Sequence, residues 1–299
     1  MDVITSPSNA AVRAARKLAR PSSRARAGGR FLLEGPEGIR SALDAGHVPD
    51  TLLATERAAA RHAGLVNLAR QRGAQVALVA EPVLSALAAT TTPQGLVAVL
   101  PSVVRPLEAL PASPRLVCVL AEVRDPGNAG TVLRAADAFG ADAVVTTAGS
   151  VDPESPKAAR AAAGSLFHLP VVAGAPWPAL RTALRRRGLR LVGADPRAAA
   201  TLDRAALAEP VALVLGNEAH GLPDQVTADL DLVVRVPLAG RAESLNLAAA
   251  AAVLLYETAR RQPEGSGRRG PGNPEGGAPV TQEALRRGAP VHREAAGGR

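Results

Sequence analysis

Short apolar runs alternate with amphipathic stretches along the chain up to about residue 260. In the first hundred residues, runs at 31–33, 51–54, 75–79 and 95–100 read as strands. Stretches at 35–45, 58–71 and 81–88 read as helices, the first two closed by Gly46 and Gly73. This order predicts a small α/β domain. Residues 101–114 hold four prolines and little period, as a stiff linker would. A second α/β pattern starts at Arg115. The run 116–120 is nearly continuous in apolar residues, as a parallel strand buried on both faces requires. Further strands are expected at 143–147, 167–172, 189–193, 211–215 and 232–236. Helices are expected up to Phe139 and at 156–163, 178–187 and 245–260. Strands alternating with helices predict a mostly parallel sheet, which binds ligands at the carboxyl ends of its strands. From Gln262 onward the chain is rich in Gly and Pro without hydrophobic period, and disorder is expected. The expected organisation is therefore a first domain at 1–100, a linker at 101–114, a second domain at 115–262 and a tail at 263–299.

Length and composition narrow the class. The chain has 299 residues, 47% of them hydrophobic, enough for two cores at roughly 150 residues per domain. Its formal net charge is +8, from 35 Lys and Arg against 27 Asp and Glu. Residues 1–30 contain seven basic residues and one acid, so this segment carries most of the excess. Ser8 or Asn9 would cap a helix running to about Arg20. On it, Arg13, Arg16, Lys17 and Arg20 recur at i, i+3, i+4 and i+7, one helical face. Like charges stacked this way repel, so the face reads as a phosphate-binding surface, with a merely solvated helix as the alternative. Aromatic residues make up only 2%, which argues against base-stacking modules. Cys118 is the only cysteine and sits in an apolar run, so it reads as inert core. No Cys/His cluster has zinc spacing, and no metal is expected. The start shows no secretory signal, and the longest apolar run, 247–256, is too short to span a bilayer. A cytoplasmic protein with no membrane partner is expected.

Three loops at predicted strand ends carry polar residues. The first runs Glu122-Val123-Arg124-Asp125-Pro126-Gly127-Asn128-Ala129-Gly130 into a helix bearing Arg134. Asn128 is there either a helix cap or a hydrogen-bonding group of a site. Arg134 is expected in the first turns of that helix, where its charge opposes the macrodipole and a ligand anion would offset the cost. The second is Leu215-Gly216-Asn217-Glu218-Ala219-His220-Gly221-Leu222, with His220 expected to face solvent. The third, Val236-Pro237-Leu238-Ala239-Gly240-Arg241-Ala242-Glu243-Ser244-Leu245-Asn246, opens the last helix, where Ser244 suits a cap or a site. A dinucleotide fingerprint reduces to Gly127-x-x-Gly130, and neither a Walker A loop nor a GxSxG elbow is present.

Taken together, DPGNAGTVLRAADAFGAD, LVLGNEAHGL and VPLAGRAESLNLAAAAAVLLYE resemble the three signature motifs of the SpoU/TrmH family of RNA 2′-O-ribose methyltransferases, in the SPOUT superfamily. DPESPKAARAAAGSLFHLPV resembles the family's connecting region, with Ala162 where the family often has Ser. RFLLEGPEGIRSALDAG and TTPQGLVAVL resemble the ribosomal-protein-like substrate-binding domain attached to many members, so the likeness covers about residues 1–262.

The resemblance implies a C-terminal mostly parallel sheet with a deep trefoil knot, and S-adenosylmethionine as methyl donor. The donor would be held by Leu215, Gly216, Val236, Leu238 and Leu245, largely through backbone groups. The implied catalytic set is Arg134, Asn128, Glu218, Ser244 and Asn246. Arg134 would activate the ribose hydroxyl or clamp the substrate phosphate and stabilise the developing alkoxide. The implied partners are RNA, ribosomal RNA favoured over transfer RNA, and a second copy of the chain in a homodimer. The rival reading is a non-catalytic RNA-binding protein.

Overall fold

The computed structural model describes residues 3–19, 29–88, 90, 92–204, 207 and 210–261. Arg20 and the expected tail at 263–299 lie outside the described residues.

Helix α1 (Ala10–Leu18) is capped by Asn9, whose side chain accepts from Ala11 N at 2.9 Å. Its apolar residues Val12, Ala15 and Leu18 recur at helical spacing and are buried. They pack with Leu32, Leu53, Val79 and Val83. The small sheet follows from β1 (Arg30–Glu34), β2 (Thr51–Ala54), β3 (Gln75–Leu78) and β4 (Leu96–Pro101), in the order β1-β4-β2-β3. The β4 pairings are antiparallel and β2–β3 is parallel. Helix α2 (Pro36–Asp44) matches expectation. The stretch expected as one helix at 58–71 is two, α3 (Glu56–Arg61) and α4 (Ala63–Gln71), parted at His62. The short α5 (Glu81–Ser85) precedes β4.

Residues between the sheets are not a free tether. Val103 and Leu110 are buried, Arg105 N donates to Val171 O, and a 3₁₀ turn forms at Leu107–Ala109. The Glu154 carboxylate accepts from Ser102 Oγ, from Val103 N at 2.7 Å and from Val104 N at 3.2 Å. Burial nevertheless pushes this carboxyl above its ordinary range.

The second sheet has seven strands, in the order β7-β6-β5-β10-β8-β11-β9. They are β5 (Leu116–Leu120), β6 (Ala143–Thr147), β7 (Val171–Ala175), β8 (Arg190–Ala194), β9 (Ala200–Thr201), β10 (Val211–Leu215) and β11 (Leu232–Arg235). Every pairing is parallel. Leu116, Cys118 and Leu120 pack into one core and Val117 and Val119 into another, so β5 is buried on both faces. Burial pushes the Cys118 thiol up to about 12, consistent with inert core. The strand expected at 167–172 begins instead at Val171. Ser165–Phe167 forms a 3₁₀ turn entered through Gly164, whose φ is +97°. The helices are α6 (Pro126–Ala138), α7 (Pro156–Ala161), α8 (Trp177–Arg186), α9 (Asp224–Thr227) and α10 (Leu247–Arg261). From β5 the chain builds outward through β6 and β7, then returns to place β10 beside β5. At such a reversal neighbouring loops diverge and leave a crevice.

Among the described residues no helix is long and apolar enough to cross a membrane. Nor do three His, Cys, Asp or Glu side chains among them cluster as a metal site.

Candidate active site

The carboxyl ends of β5 and β10 bring two of the polar loops together, and the start of α10 supplies the third. Helix α6 is capped by Asp125, which accepts from Asn128 N at 2.7 Å. Asn128 is therefore not the cap but the third helical residue, and its amide is free for other contacts. Asn128 Nδ2 donates to Glu218 Oε1 at 3.0 Å, and Asn246 Nδ2 donates to Asn128 Oδ1 at 3.1 Å. Glu218 also accepts from the backbone N–H groups of Arg124 and Asp125 at 3.4 Å. One side-chain chain, Asn246–Asn128–Glu218, thus ties the three loops.

Asn246 has a second task. Its Oδ1 accepts from Ala248 N at 2.9 Å at the start of α10, so Asn246 rather than Ser244 caps the last helix. The side chain of Asn217 braces the β10 loop: Nδ2 donates to Glu122 O at 2.8 Å, and Oδ1 accepts from Ala219 N at 2.9 Å. Glu122 holds a left-handed φ of +56°, one of two such non-glycine residues among those described. Backbone held in that region stores strain, common where loops form a site.

These loops enclose a cavity of about 590 Å³, within the span of small-molecule sites. Leu215, Gly216, Val236, Leu238 and Leu245 all line it, as do Asn128, Glu218, Ser244 and Asn246. Leu238 and Leu245 are each 38% exposed, apolar surface in the cleft that a bound ligand would cover. Gly216 forms a wall where the chain runs against itself. A Cβ there would collide with the Gly221 carbonyl and lie 2.5 Å from Leu222 N. Asp195 sits at the cavity mouth, where hydrogen bonds from Arg197 hold its carboxyl below the usual range. His220 is exposed, as expected, and also lines the cavity.

Arg134 stands apart. It is the ninth of the thirteen residues of α6, too far along to oppose the dipole at the helix start, and it does not line the cavity. It is exposed and makes no hydrogen bond or ion pair among the described residues. On α1, Arg13, Arg16 and Lys17 are likewise exposed on one face, opposite the buried Val12, Ala15 and Leu18.

Sequence reasoning did not single out Asp125, Asn217 or Asp195. For Asp125 the signal was present: a carboxylate before Pro126 at the first helical position is a strong start signature. Asp195 has no local signature, and only the fold brings it to the cavity.

Residues 115–256 match the SpoU rRNA Methylase family profile, and residues 9–98 match the MRM3-like substrate binding domain. The chain is 36% identical over 226 residues to Bacillus subtilis 23S rRNA (guanosine(2553)-2'-O)-methyltransferase RlmP, covering 76% of this chain and 87% of that protein. It is 31% identical over 254 residues to the 23S rRNA (uridine(2479)-2'-O)-methyltransferase of Streptomyces viridochromogenes, covering 83% and 88%. Among solved structures, the AdoMet-bound rRNA methyltransferase from Sinorhizobium meliloti superposes with a TM-score of 0.77 at 31% identity, covering 87% of this chain and 97% of its own. The Streptomyces viridochromogenes SpoU methyltransferase AviRb in complex with AdoMet gives 0.75 at 30%, covering 85% and 98%. The fold is shared over most of each protein's length, and the chain belongs to the SpoU rRNA methylase family.

Proposed function

We propose that this protein is an RNA 2′-O-ribose methyltransferase that uses S-adenosylmethionine and acts on 23S ribosomal RNA. One observation carries the reading: the Asn246–Asn128–Glu218 chain lines a glycine-walled cavity of mixed polar and apolar surface at the strand reversal. The cavity fits the donor. Val236, Leu238 and Leu245 offer apolar surface to an adenine, and Gly216 lets backbone approach closely. When bound, the cofactor supplies a methyl already activated on a sulfonium.

The protein's share is alignment and charge. Glu218 is a positioning residue: its carboxylate is held by three donors and orients the Asn128 amide. Asn128 and Asn246 fix the acceptor ribose beside the cavity, and Ser244 offers a hydroxyl at the same lip. The five lining residues Leu215, Gly216, Val236, Leu238 and Leu245 hold the donor. Arg134 clamps the phosphate of the target nucleotide and stabilises the negative charge on the 2′-oxygen as the hydroxyl proton passes to water and the oxygen takes the methyl.

Because Arg134 does not reach the cavity of its own chain, we read the enzyme as a homodimer in which Arg134 serves the partner's cavity. Helix α10 packs on α6, and its outer stripe leaves Val253 40% and Tyr256 53% exposed, an apolar surface suited to a second copy. The return of α10 across β10 and β5 after β11 fits a deep trefoil knot. A crystal structure of the dimer tests knot and interface together. In the same reading, residues 1–100 bind RNA through the exposed Arg13, Arg16 and Lys17, residues 101–114 join the domains, and residues 115–262 methylate. With ribosomal RNA as substrate the enzyme works in the cytoplasm, and its recovery from another cell fraction would contradict this.

The test is transfer of labelled methyl from S-adenosylmethionine to total RNA, followed by nucleoside analysis. The expected product is a 2′-O-methylated nucleoside in 23S RNA. A methylated base, or label confined to transfer RNA, overturns the reading.

A further inference from the structure

A second cavity, of about 210 Å³, lies where the small sheet meets α7. It is lined by Glu34 at the end of β1, by Glu37 of α2, by Thr90, Thr92 and Gln94 ahead of β4, and by Arg160. Its volume is below the roughly 300–1,000 Å³ of drug-sized sites and suits a single heterocycle.

The chemistry of its walls is specific. The Glu34 side chain is only 7% exposed, a depth at which a carboxylate must be fully engaged. Thr90 Oγ1 donates to Glu34 Oε1. Arg160 approaches Glu34 Oε2 at 3.8 Å, within ion-pair range but too far for a hydrogen bond. The Arg160 Nη1 is buried and has no hydrogen-bond acceptor among the described residues. A buried donor without an acceptor is costly and rare in a finished core. Gly35, with φ +97°, lets Gln94 close in: a Cβ there would stand 3.2 Å from Gln94 Oε1. Ala163, on the same wall, is the other non-glycine residue with positive φ, at 49°.

Helix α7 links the two places. Lys157 Nζ pairs with Asp125 Oδ2 at 3.3 Å beside the first cavity, and Arg160 lies one turn further along the same helix. The helix therefore runs from beside the first cavity to the wall of the second.

We propose that the second cavity captures an unpaired guanine of the RNA substrate, separate from the methylated nucleotide. A guanine Watson–Crick edge presents two adjacent N–H donors beside one carbonyl acceptor. Glu34 and Gln94 Oε1 take the donors, and Arg160 Nη1 gives the carbonyl the hydrogen bond it lacks in the protein alone. Adenine and uracil present the wrong order of donors and acceptors. A phosphate is disfavoured by the two carboxylates of Glu34 and Glu37. This inference rests on the proposed RNA activity and extends it to a recognition site.

The experiment uses the full-length protein and four fluorescent RNA hexamers, UUUGUU, UUUIUU with inosine, UUUAUU and UUUUUU, titrated by anisotropy. Wild type is expected to bind UUUGUU about tenfold more tightly than the other three, because inosine lacks the 2-amino donor. Glu34→Gln is expected to bring the guanine-to-inosine ratio close to one. Gln94→Ala, at an exposed rim position, is expected to reduce it with no loss of thermal stability, which guards against a folding defect in the Glu34 variant. Equal binding of all four hexamers by wild type overturns the proposal, as does a guanine preference that survives both substitutions. Calorimetric binding of S-adenosylmethionine by the same preparations separates the two levels. Donor binding without guanine preference defeats only this inference, and absence of donor binding defeats the underlying reading.

Discussion

Replacing Gly216 by alanine tests the cavity wall directly. The added methyl would meet three backbone atoms, the carbonyl carbon and oxygen of Gly221 and the nitrogen of Leu222. None of these can turn aside as a side-chain tip could. The facing strands are also tied by a reciprocal pair, Asn217 N to Gly221 O at 2.8 Å and Gly221 N to Asn217 O at 2.9 Å. Relief of the clash requires opening that pair. Overpacking of this kind costs roughly 1–3 kcal/mol, and weakening the two hydrogen bonds adds about 1 kcal/mol. At roughly 2–4 °C per kcal/mol for a chain of this size, melting should fall by about 5–15 °C. The displaced loop also carries Glu218, so donor affinity should fall at least about tenfold, equivalent to about 1.4 kcal/mol. Gly240→Ala is the control, because a Cβ there meets nothing within 4 Å. It should change stability by less than about 0.5 kcal/mol. Thermal unfolding followed by circular dichroism and titration calorimetry with S-adenosylmethionine read both effects. A Gly216→Ala protein that melts with wild type and binds the donor equally well would show that the wall does not shape the site.

Other substitutions probe the remaining parts. Arg134→Ala should abolish methyl transfer while leaving donor affinity intact, and Arg134→Lys should retain more activity if a point charge suffices. Mixing Arg134→Ala with Asn128→Ala subunits should restore about a quarter of the wild-type sites, and no restoration would refute a site shared across a two-fold dimer. Charge removal at Arg13, Arg16 and Lys17 should weaken RNA binding and flatten its salt dependence by about 0.7–0.9 per lost phosphate contact, an unchanged salt slope ruling the face out. Glu154→Ala strands three donors and should cost about 3 kcal/mol in urea unfolding, whereas Glu154→Gln, which keeps the shape and an acceptor, should stay within about 1 kcal/mol of wild type. Because burial raises the Glu154 carboxyl, the folded protein holds that proton more tightly than the unfolded chain does. Wild type should therefore gain stability relative to Glu154→Gln as pH falls from neutrality through the raised value, and the gain should level off below the ordinary glutamate range.

Much of the fold was legible because parallel strands buried on both faces leave nearly unbroken apolar runs. The strands at 116–120, 143–147 and 211–215 occur where those runs lie. The expectation slipped where tertiary contacts override local pattern. The run from Phe167 to Val172 reads as one strand, yet Pro170 and the turn at Gly164 divide it. Leu166 is buried there, and Phe167 stacks on Phe31 at 6.3 Å. The break at His62 has no proline to announce it. The loops that carry polar residues could be located, but not their wiring. Asn128 and Glu218 are 90 positions apart and Asn128 and Asn246 are 118, distances over which no periodicity speaks. Arg134, six positions beyond Asn128 on α6, does not line the cavity of its own chain, which its nearness in sequence does not foretell.

The joint between the two sheets has a consequence for how RNA is read. Phe31 from the small sheet and Phe167 from the 3₁₀ turn ahead of β7 stack, and His47 lies 5.5 Å from the same Phe167 ring. A Cβ on Gly164 would collide with Ser41, so the two surfaces are in close contact there. Burying an aromatic of this kind contributes roughly 1.5–3 kcal/mol, so swinging the small sheet away would cost several such contacts at once. The Glu154 bonds to residues 102–104 add to the same joint. Helix α1 is seated on this small sheet through Val12, Ala15 and Leu18, so the distance of its basic face from the first cavity is set by packed core and not by a hinge. With few aromatic platforms available, a fixed separation between the face proposed to bind phosphate and the proposed methylation site would let the protein select RNA by shape. Under that proposal sequence would be read at only a few unpaired bases, and the cavity between Glu34 and Arg160 lies on the joint itself.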